Sequence, residues 1–265
     1  MSSRSSRIVV VIPARLGSLR LPRKLLLSDT GMSILEHTYR AARQAVTASE
    51  VVVATADAEI AGEVESFGGV VAWTSPEAPS GTDRIAEVAR SRTEIDIFIN
   101  LQGDEPEMPP EYIDRVLETL RLDDAAAVST LAAPMTDHAA LVDPSCVKVV
   151  VNRLGRAMYF SRSPIPFVRD AMEGSPRACP EIHWQHLGIY AYRGDFLRRL
   201  SDLPPSRCEE AERLEQLRFL DAGFTIAVGR VGQATRGIDT PGDYEAFVRR
   251  QRESPQVIAW EASSA

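Results

Sequence analysis

The chain has 265 residues, of which 44% are hydrophobic and 25% charged, and it carries a net charge of −7. This composition suits a globular protein with one sizeable core, and the acidic balance argues against a general nucleic-acid binder, whose affinity depends on neutralising phosphates. No apolar run approaches the roughly 18 residues of a membrane helix, so no membrane partner is expected. The opening MSSRSSR lacks the apolar segment of a signal peptide.

In chain order, RIVVVIPA is a continuous β-branched run, expected as a strand buried on both faces. SILEHTYRAARQA follows with helical spacing, Ser33 as N-cap and Glu36 completing a capping box. EVVVATA reads as a strand, DAEIAGEVESF as a helix opened by Asp57, and GGVVAWT as a strand. TDRIAEVARSR is helical, DIFINLQ is a fourth buried strand, and EYIDRVLETL is a helix led by Pro109 and Pro110. Such alternation predicts an α/β fold with a mostly parallel sheet and helices on both faces.

After Ala125 the rhythm changes. AAVSTLAAP reads as a strand, and CVKVVVN and AMYFSR as a hairpin turning at RLG. Residues 163–185 read as a polar loop or lid, and HLGIYAYR as a strand. CEEAERLEQLRFLDAG is expected as one strong helix closed by Gly223, most of its charges forming a solvated face. FTIAVGRV is the last strand and TPGDYEAFVRRQR the last helix, capped by Thr240. The expected organisation is a single domain over 7–250, with a smaller hairpin-containing lobe inserted at about 125–200 and tails at 1–6 and 254–265.

Several segments carry candidate chemistry. The loop after the first strand places Arg15, Arg20, Arg23 and Lys24 at the sheet edge where such folds bind ligands. It is neither a Walker loop nor G-x-G-x-x-G. Its cations would hold phosphates by charge, unless they form a solvated surface. In NLQGDEP, Asp104 follows a buried strand. It is either a magnesium ligand beside substrate phosphates or a helix-capping residue. Asp239 in GIDTP is a second such ligand or a turn residue. Ser80 and Thr82 in PSGTDR lead a helix whose N–H groups can meet a ligand. His186 is a candidate ligand contact, whereas His183 and His186 lack the partners of a metal site. Cys146, Cys179 and Cys208 lie far apart with no metal spacing, and read as reduced thiols of a cytoplasmic protein. No nucleophilic triad is legible, so positioning and electrostatics are the expected means of catalysis.

Taken together, VVIPARLGSLRLPRKLL, PSGTDRIAEV, INLQGDEP, YFSRSPIPF, HLGIYAYR, LEQLRFL and GIDTPGDYE closely resemble the 3-deoxy-manno-octulosonate (Kdo) cytidylyltransferases, from about Arg7 to Arg250. The resemblance implies a Rossmann-like nucleotidyltransferase, a homodimer formed through the smaller lobe, and the reaction of CTP with Kdo to give CMP-Kdo for lipopolysaccharide synthesis. It implies Mg²⁺ held by Asp104 and Asp239. Arg15 and Lys24 would neutralise the triphosphate, with Ser18 and Arg20 nearby, and Gln102, Ser80 and Thr82 would seat the cytidine end. Arg162, His186, Glu215 and Gln216 would line the sugar pocket, with Arg162 meeting the sugar carboxylate. Three positions depart from the family pattern. Arg23 stands where a Gly is usual and would stiffen the turn or add a phosphate contact. Ala56 replaces an acid, and Phe167 replaces a Trp. The alternative reading is a cytidylyltransferase for a related 2-keto acid sugar, 8-amino-Kdo or a sialic acid.

Overall fold

The computed structural model describes residues 6–18, 20–169 and 178–253. The expected C-terminal tail, most of the N-terminal one and residues 170–177 of the expected lid lie outside the described residues.

Nine strands, all in one sheet, and nine α-helices are present among the described residues. The first half alternates β1 (Ile8–Pro13), α1 (Ile34–Arg43), β2 (Val51–Thr55), α2 (Ala58–Ser66), β3 (Val71–Trp73), α3 (Gly81–Ser91), β4 (Ile97–Asn100) and α4 (Pro110–Arg121). Then follow β5 (Ala126–Pro134), α5 (His138–Val142), β6 (Lys148–Val151), β7 (Ala157–Ser161), β8 (Trp184–Arg193) and α6 (Gly194–Arg198). The chain closes with α7 (Arg207–Glu212), α8 (Gln216–Asp221), β9 (Thr225–Arg230) and α9 (Pro241–Glu253).

The main path of the sheet is β3-β2-β1-β4-β8-β5-β9, with β6 and β7 attached beside β8. β1, β2, β3 and β4 are mutually parallel. β8 runs antiparallel to both β4 and β5, and β9 runs parallel to β5. Two reversals restore direction, so β1, β4, β5 and β9 all point the same way and their carboxyl ends share one edge. Of the region expected as an inserted lobe, β5 and β8 lie within the main path, while the β6–β7 hairpin lies off it.

The period-2 alternation of β1 builds two cores. Ile8, Val10 and Ile12 pack with α1, α2, α4 and α9 through Ile34, Leu35, Ile60, Ile113, Val116 and Phe247. Val9 and Val11 pack with α3, α6 and α8 through Ile85, Val88, Leu197, Leu217 and Phe219. The strand is buried on both faces, which is why it reads as an unbroken apolar run.

Local expectations meet several differences. Ser33 caps α1 by accepting from the Glu36 N–H at 3.1 Å, but the Glu36 carboxylate turns to Arg40 at 2.7 Å instead of closing a capping box. Asp57 precedes α2 without capping it by its side chain; its carboxylate accepts from the Leu16 N–H at 2.9 Å and ties down the loop after β1. The expected single helix over Cys208–Gly223 is two helices, α7 and α8, separated at Arg213, whose φ is 54°. Glu210 and Asp221 are exposed as expected, but two other acids leave the solvated face. Glu209 is buried against Arg218 at 2.5 Å, and Glu212 reaches β7, accepting from the Ser161 hydroxyl at 2.6 Å and the Arg162 N–H at 2.9 Å. These contacts across the fold outweigh the helical propensity of the segment.

Candidate active site

Four segments converge at the shared carboxyl edge: the loop after β1, the turn after β4, the N-terminus of α3 and the loop from β9 to α9. The loop after β1 ends in a 3₁₀ turn, Lys24–Leu26, which packs against Gly103. A Cβ at Gly103 would stand 3.3 Å from the Leu25 side chain and 3.4 Å from the Pro13 carbonyl, so glycine permits this close approach. The Ile238 N–H donates to the Asp104 carbonyl at 2.9 Å, joining the β4 turn to the last loop.

This convergence brings Lys24 between two carboxylates. Its Nζ lies 2.5 Å from Asp104 Oδ2 and 3.2 Å from Asp239 Oδ1, and Arg20 approaches Asp239 at 3.0 Å. Lys24 is buried, so its pairing with Asp104 is the least screened of the three, whereas Arg20 and Asp239 meet at the solvent-exposed side. Glu105 adjoins the cluster and was not anticipated, although it occupies the same GDEP motif. Burial, then the Asp104 charge, push its carboxyl up to about 7.

A cavity of about 610 Å³ opens beside the cluster, lined by Arg15, Ser18, Arg20, Lys24, Ser80 and Gln102 among others. Ser80 caps α3: its hydroxyl accepts from the Asp83 N–H at 3.1 Å and donates to the Asp83 carboxylate at 2.8 Å. Arg23 does not line this cavity, and its guanidinium pairs with Glu59. In this arrangement the Arg23 side chain is directed to Glu59 and not to the cavity.

A larger cavity of about 940 Å³ adjoins the first, and Arg20, Gly81, Gln102 and Asp239 belong to both. Thr82, Arg162, His186, Glu215 and Gln216 line only the larger one. Arg162 is held by main-chain carbonyls: Nε donates to Glu212 at 2.7 Å, Nη1 to Pro144 at 2.9 Å and Nη2 to Arg213 at 3.4 Å. Buried Lys148 grips the same corner, donating to the carbonyls of Asp143 and Arg162 at 2.7 and 2.8 Å. His186 lies 3.0 Å from the Thr130 hydroxyl, its ring packed on Phe160 and Tyr190, and burial lowers its pKa to about 3, so it is a neutral wall. Both ring nitrogens of His183 have protein partners: Nδ1 accepts from the Cys179 N–H at 2.9 Å and Nε2 lies 3.0 Å from the Pro166 carbonyl.

Tyr190 and Tyr192 also line the larger cavity and were missed, although they share the β8 face of His186 and Gly188. The alternation within HLGIYAYR was the available signal. Glu212 was read as part of a solvated face and Lys148 was missed; a lysine within the apolar run VKVVV was the clue to a buried cation.

The donor chemistry fits Mg²⁺. Asp104 and Asp239 present hard oxygens around one point, and magnesium is commonly held by one or two carboxylates with substrate phosphates and water. Among the described residues, no group of three or more His, Cys, Asp or Glu side chains is placed to hold a metal without such additional oxygens.

A family model described as Cytidylyltransferase matches residues 9–226. The 3-deoxy-manno-octulosonate cytidylyltransferase of Rhodopirellula baltica is 47% identical over 245 residues, covering 92% of this chain and 98% of its own length. The Escherichia coli protein of the same name is 45% identical over 240 residues, covering 91% and 94%. Among solved structures, a CMP:2-keto-3-deoxy-manno-octonic acid synthetase complexed with CTP superposes with a TM-score of 0.85 at 43% identity, covering 94% of this chain and 99% of that one. A 4-diphosphocytidyl-2C-methyl-D-erythritol synthase from Anaerococcus prevotii, at 13% identity and a TM-score of 0.61, shares the fold. With near-full-length identity of this order to its relatives, the chain belongs to the 3-deoxy-manno-octulosonate cytidylyltransferase family.

Proposed function

We propose that this enzyme transfers the cytidylyl group of CTP to Kdo, releasing pyrophosphate and supplying CMP-Kdo for lipopolysaccharide assembly. The observation that carries the reading is the pair of adjoining cavities. One is walled by the basic loop, the other by Arg162, His186 and Gln216, and they meet at Arg20, Gln102 and Asp239. A triphosphate in the first and a sugar acid in the second would bring donor and acceptor together at that junction.

The sugar's anomeric hydroxyl oxygen forms the new bond to the α-phosphorus and releases its proton to solvent water. The bond from the α-phosphorus to the oxygen bridging the β-phosphate breaks, and pyrophosphate leaves. Arg15, Arg20 and Lys24 oppose the charge that grows on this leaving group, with Ser18 beside them. Gln102 and Ser80 seat the nucleotide from the first cavity, and Thr82, in the first turn of α3, adds to this from the wall of the larger one. Arg162 uses three N–H groups on carbonyls, which leaves two of the five a guanidinium carries for the sugar carboxylate. Glu215 and Gln216 complete that pocket. Asp104 and Asp239 would hold Mg²⁺, which when bound polarises phosphoryl oxygens as a Lewis acid.

The enzyme is assigned to the cytoplasm, where CTP is made; no helix among the described residues is long and apolar enough to cross a membrane. A homodimer is assigned through the β6–β7 region, where Leu154, Met158 and Phe167 are 73%, 61% and 87% exposed. Sedimentation of a monomer at micromolar concentration would refute that assignment. The reaction is tested by pyrophosphate release from CTP and Mg²⁺ with Kdo, 8-amino-Kdo and N-acetylneuraminate in parallel. Release with Kdo well above the other two is expected. Silence with Kdo and turnover of another sugar would overturn the reading.

A further inference from the structure

Gly188 lies within β8, a strand flanked by β4 and β5. Glycine inside a strand is less stable than alanine, having more backbone freedom to lose and no side chain to pack. Three structural needs could account for it, and none applies. The first is a left-handed backbone, but Gly188 is not among the glycines with positive φ. The second is a close neighbour. Among the described residues, a Cβ here would meet one atom within 4 Å, Gln102 Cγ at 3.8 Å, an ordinary contact. The third is a β-bulge. The pairing of β8 with β5 jumps from Thr130 with Tyr190 to Leu131 with Leu187, so Gly188 and Ile189 are extra. That bulge is pinned by the Thr130 hydroxyl, 3.0 Å from the Leu187 carbonyl and 2.8 Å from the Ile189 carbonyl. Without a positive φ, it asks nothing of residue 188 that alanine lacks.

What the missing side chain leaves is space in the acceptor cavity. Leu187, Ile189 and Ala191 belong to the core on the α1 side of the sheet, and Tyr190 and Tyr192 to the core on the α3 side. Alternation therefore puts Gly188 on the second face, with His186, Tyr190 and Tyr192, and all four line the larger cavity. Leu187 and Ile189 are buried, yet Gly188 between them is partly exposed, so its open side is reached from that cavity. The register that pairs Asn100 with Tyr190 extends to set Gly188 opposite Gln102, in accord with the Cγ contact. Gln102 lines both cavities and Gly188 only the larger, so the space lies on the acceptor side of the junction.

We propose that Gly188 is a specificity-determining residue for the acceptor: the bare β8 backbone lets the sugar acid lie beside Gln102, in the volume a Cβ would fill. This rests on the reaction given above. A methyl group at this position overpacks the sugar complex and leaves the free enzyme unstrained.

The test is Gly188→Ala in the full-length enzyme, by thermal melting without ligands and by steady-state kinetics with CTP, Mg²⁺ and Kdo. The melting temperature should hold or rise, since alanine loses less backbone freedom on folding. The KM for Kdo should rise about ten-fold, with the KM for CTP within about two-fold of the parent. A lower melting temperature, or a variant that does not fold, would show that the glycine serves the strand, and would overturn the proposal. A KM for Kdo close to the parent's, or equal rises for both substrates, would overturn it as well. A parent enzyme idle with Kdo but active with another sugar would defeat the reaction given above, and the same comparison of KM values would then be read with that sugar.

Discussion

Lys24 answers for the opening basic loop. It is drawn out of solvent because two carboxylates from distant parts of the sequence meet it, Asp104 after β4 and Asp239 after β9. The three groups restrain one another, and any ligand that brings phosphate and Mg²⁺ to this point can reapportion them, the cation turning to phosphate and the acids to metal. Asp104→Asn should therefore fold, since Lys24 keeps Asp239, and should lose turnover by about a hundred-fold or more. Near-parental kcat in that variant would remove Asp104 from the metal centre. Arg23 makes a separate case. It holds φ of 56°, a left-handed conformation unfavourable for a residue with a Cβ, and its side chain is committed to Glu59 outside the phosphate cavity. Arg23→Gly relieves the backbone at about 1 kcal/mol, offset in part by the lost, largely exposed ion pair. Its melting temperature should hold or rise slightly, with the KM for CTP unchanged. A several-fold rise in that KM would show that Arg23 does touch the triphosphate.

At the level of elements, the break between α7 and α8 shapes the acceptor pocket. A continuous helix through Arg213 would carry Glu212 away from β7 and Gln216 away from the cavity. Glu212 prevents this by binding the Ser161 hydroxyl and the Arg162 N–H, while its own carbonyl receives the Arg162 guanidinium. Glu212→Ala strips two donors of their acceptor, and should destabilise the fold by about 1–3 kcal/mol. Its kinetic signature should be a higher KM for Kdo at an unchanged KM for CTP. A variant as stable as the parent, with both constants intact, would show the break to be held by something else. The sequence carried the element order well. The strands β1, β2 and β4 are continuous apolar runs, and Ser33 and Thr240 do cap helices by accepting from Glu36 and Asp243. The sequence also placed the cations and Asp104 at one sheet edge. It did not carry the helix break, because periodicity reports local preference and Glu212 obeys a contact some fifty residues away. Nor did it carry the antiparallel direction of β8, since a two-faced buried strand looks alike in either sense. Lys148 was passed over because it sits in an apolar run, and its burial only becomes meaningful once the carbonyls that satisfy it are seen.

At the scale of the whole molecule, the helices on one side of the sheet meet across the chain's two ends, and one of their contacts makes stability depend on pH. His37 on α1 packs edge-on against Phe247 of α9, with ring centres 5.2 Å apart, and lies 2.8 Å from the Thr30 hydroxyl. Burial first, then the positive Arg40, lowers its pKa from 6.5 to about 4, and Glu107 opposes this only in part. The unfolded chain thus takes up a proton at pH 6.5 that the folded chain refuses until about 4. Between those values the unfolded state binds more protons, and stability falls as the pH falls, by up to about 1.4 kcal/mol per unit. His186, lowered to about 3, acts in the same sense. Glu105 acts oppositely, since a carboxyl raised from 4.5 to about 7 by burial loses stability as the pH rises through that window. The two histidines and Glu105 overlap between pH 4.5 and 6.5, so the parent's profile alone cannot separate them. Comparison with His37→Gln can, because glutamine retains a hydrogen-bonding partner for Thr30 and does not titrate. Melting temperature plotted from pH 7 down to pH 4 should fall less steeply in His37→Gln than in the parent. Parallel curves would mean that His37 is protonated equally in both states, and that the α1–α9 contact shields no charge from water.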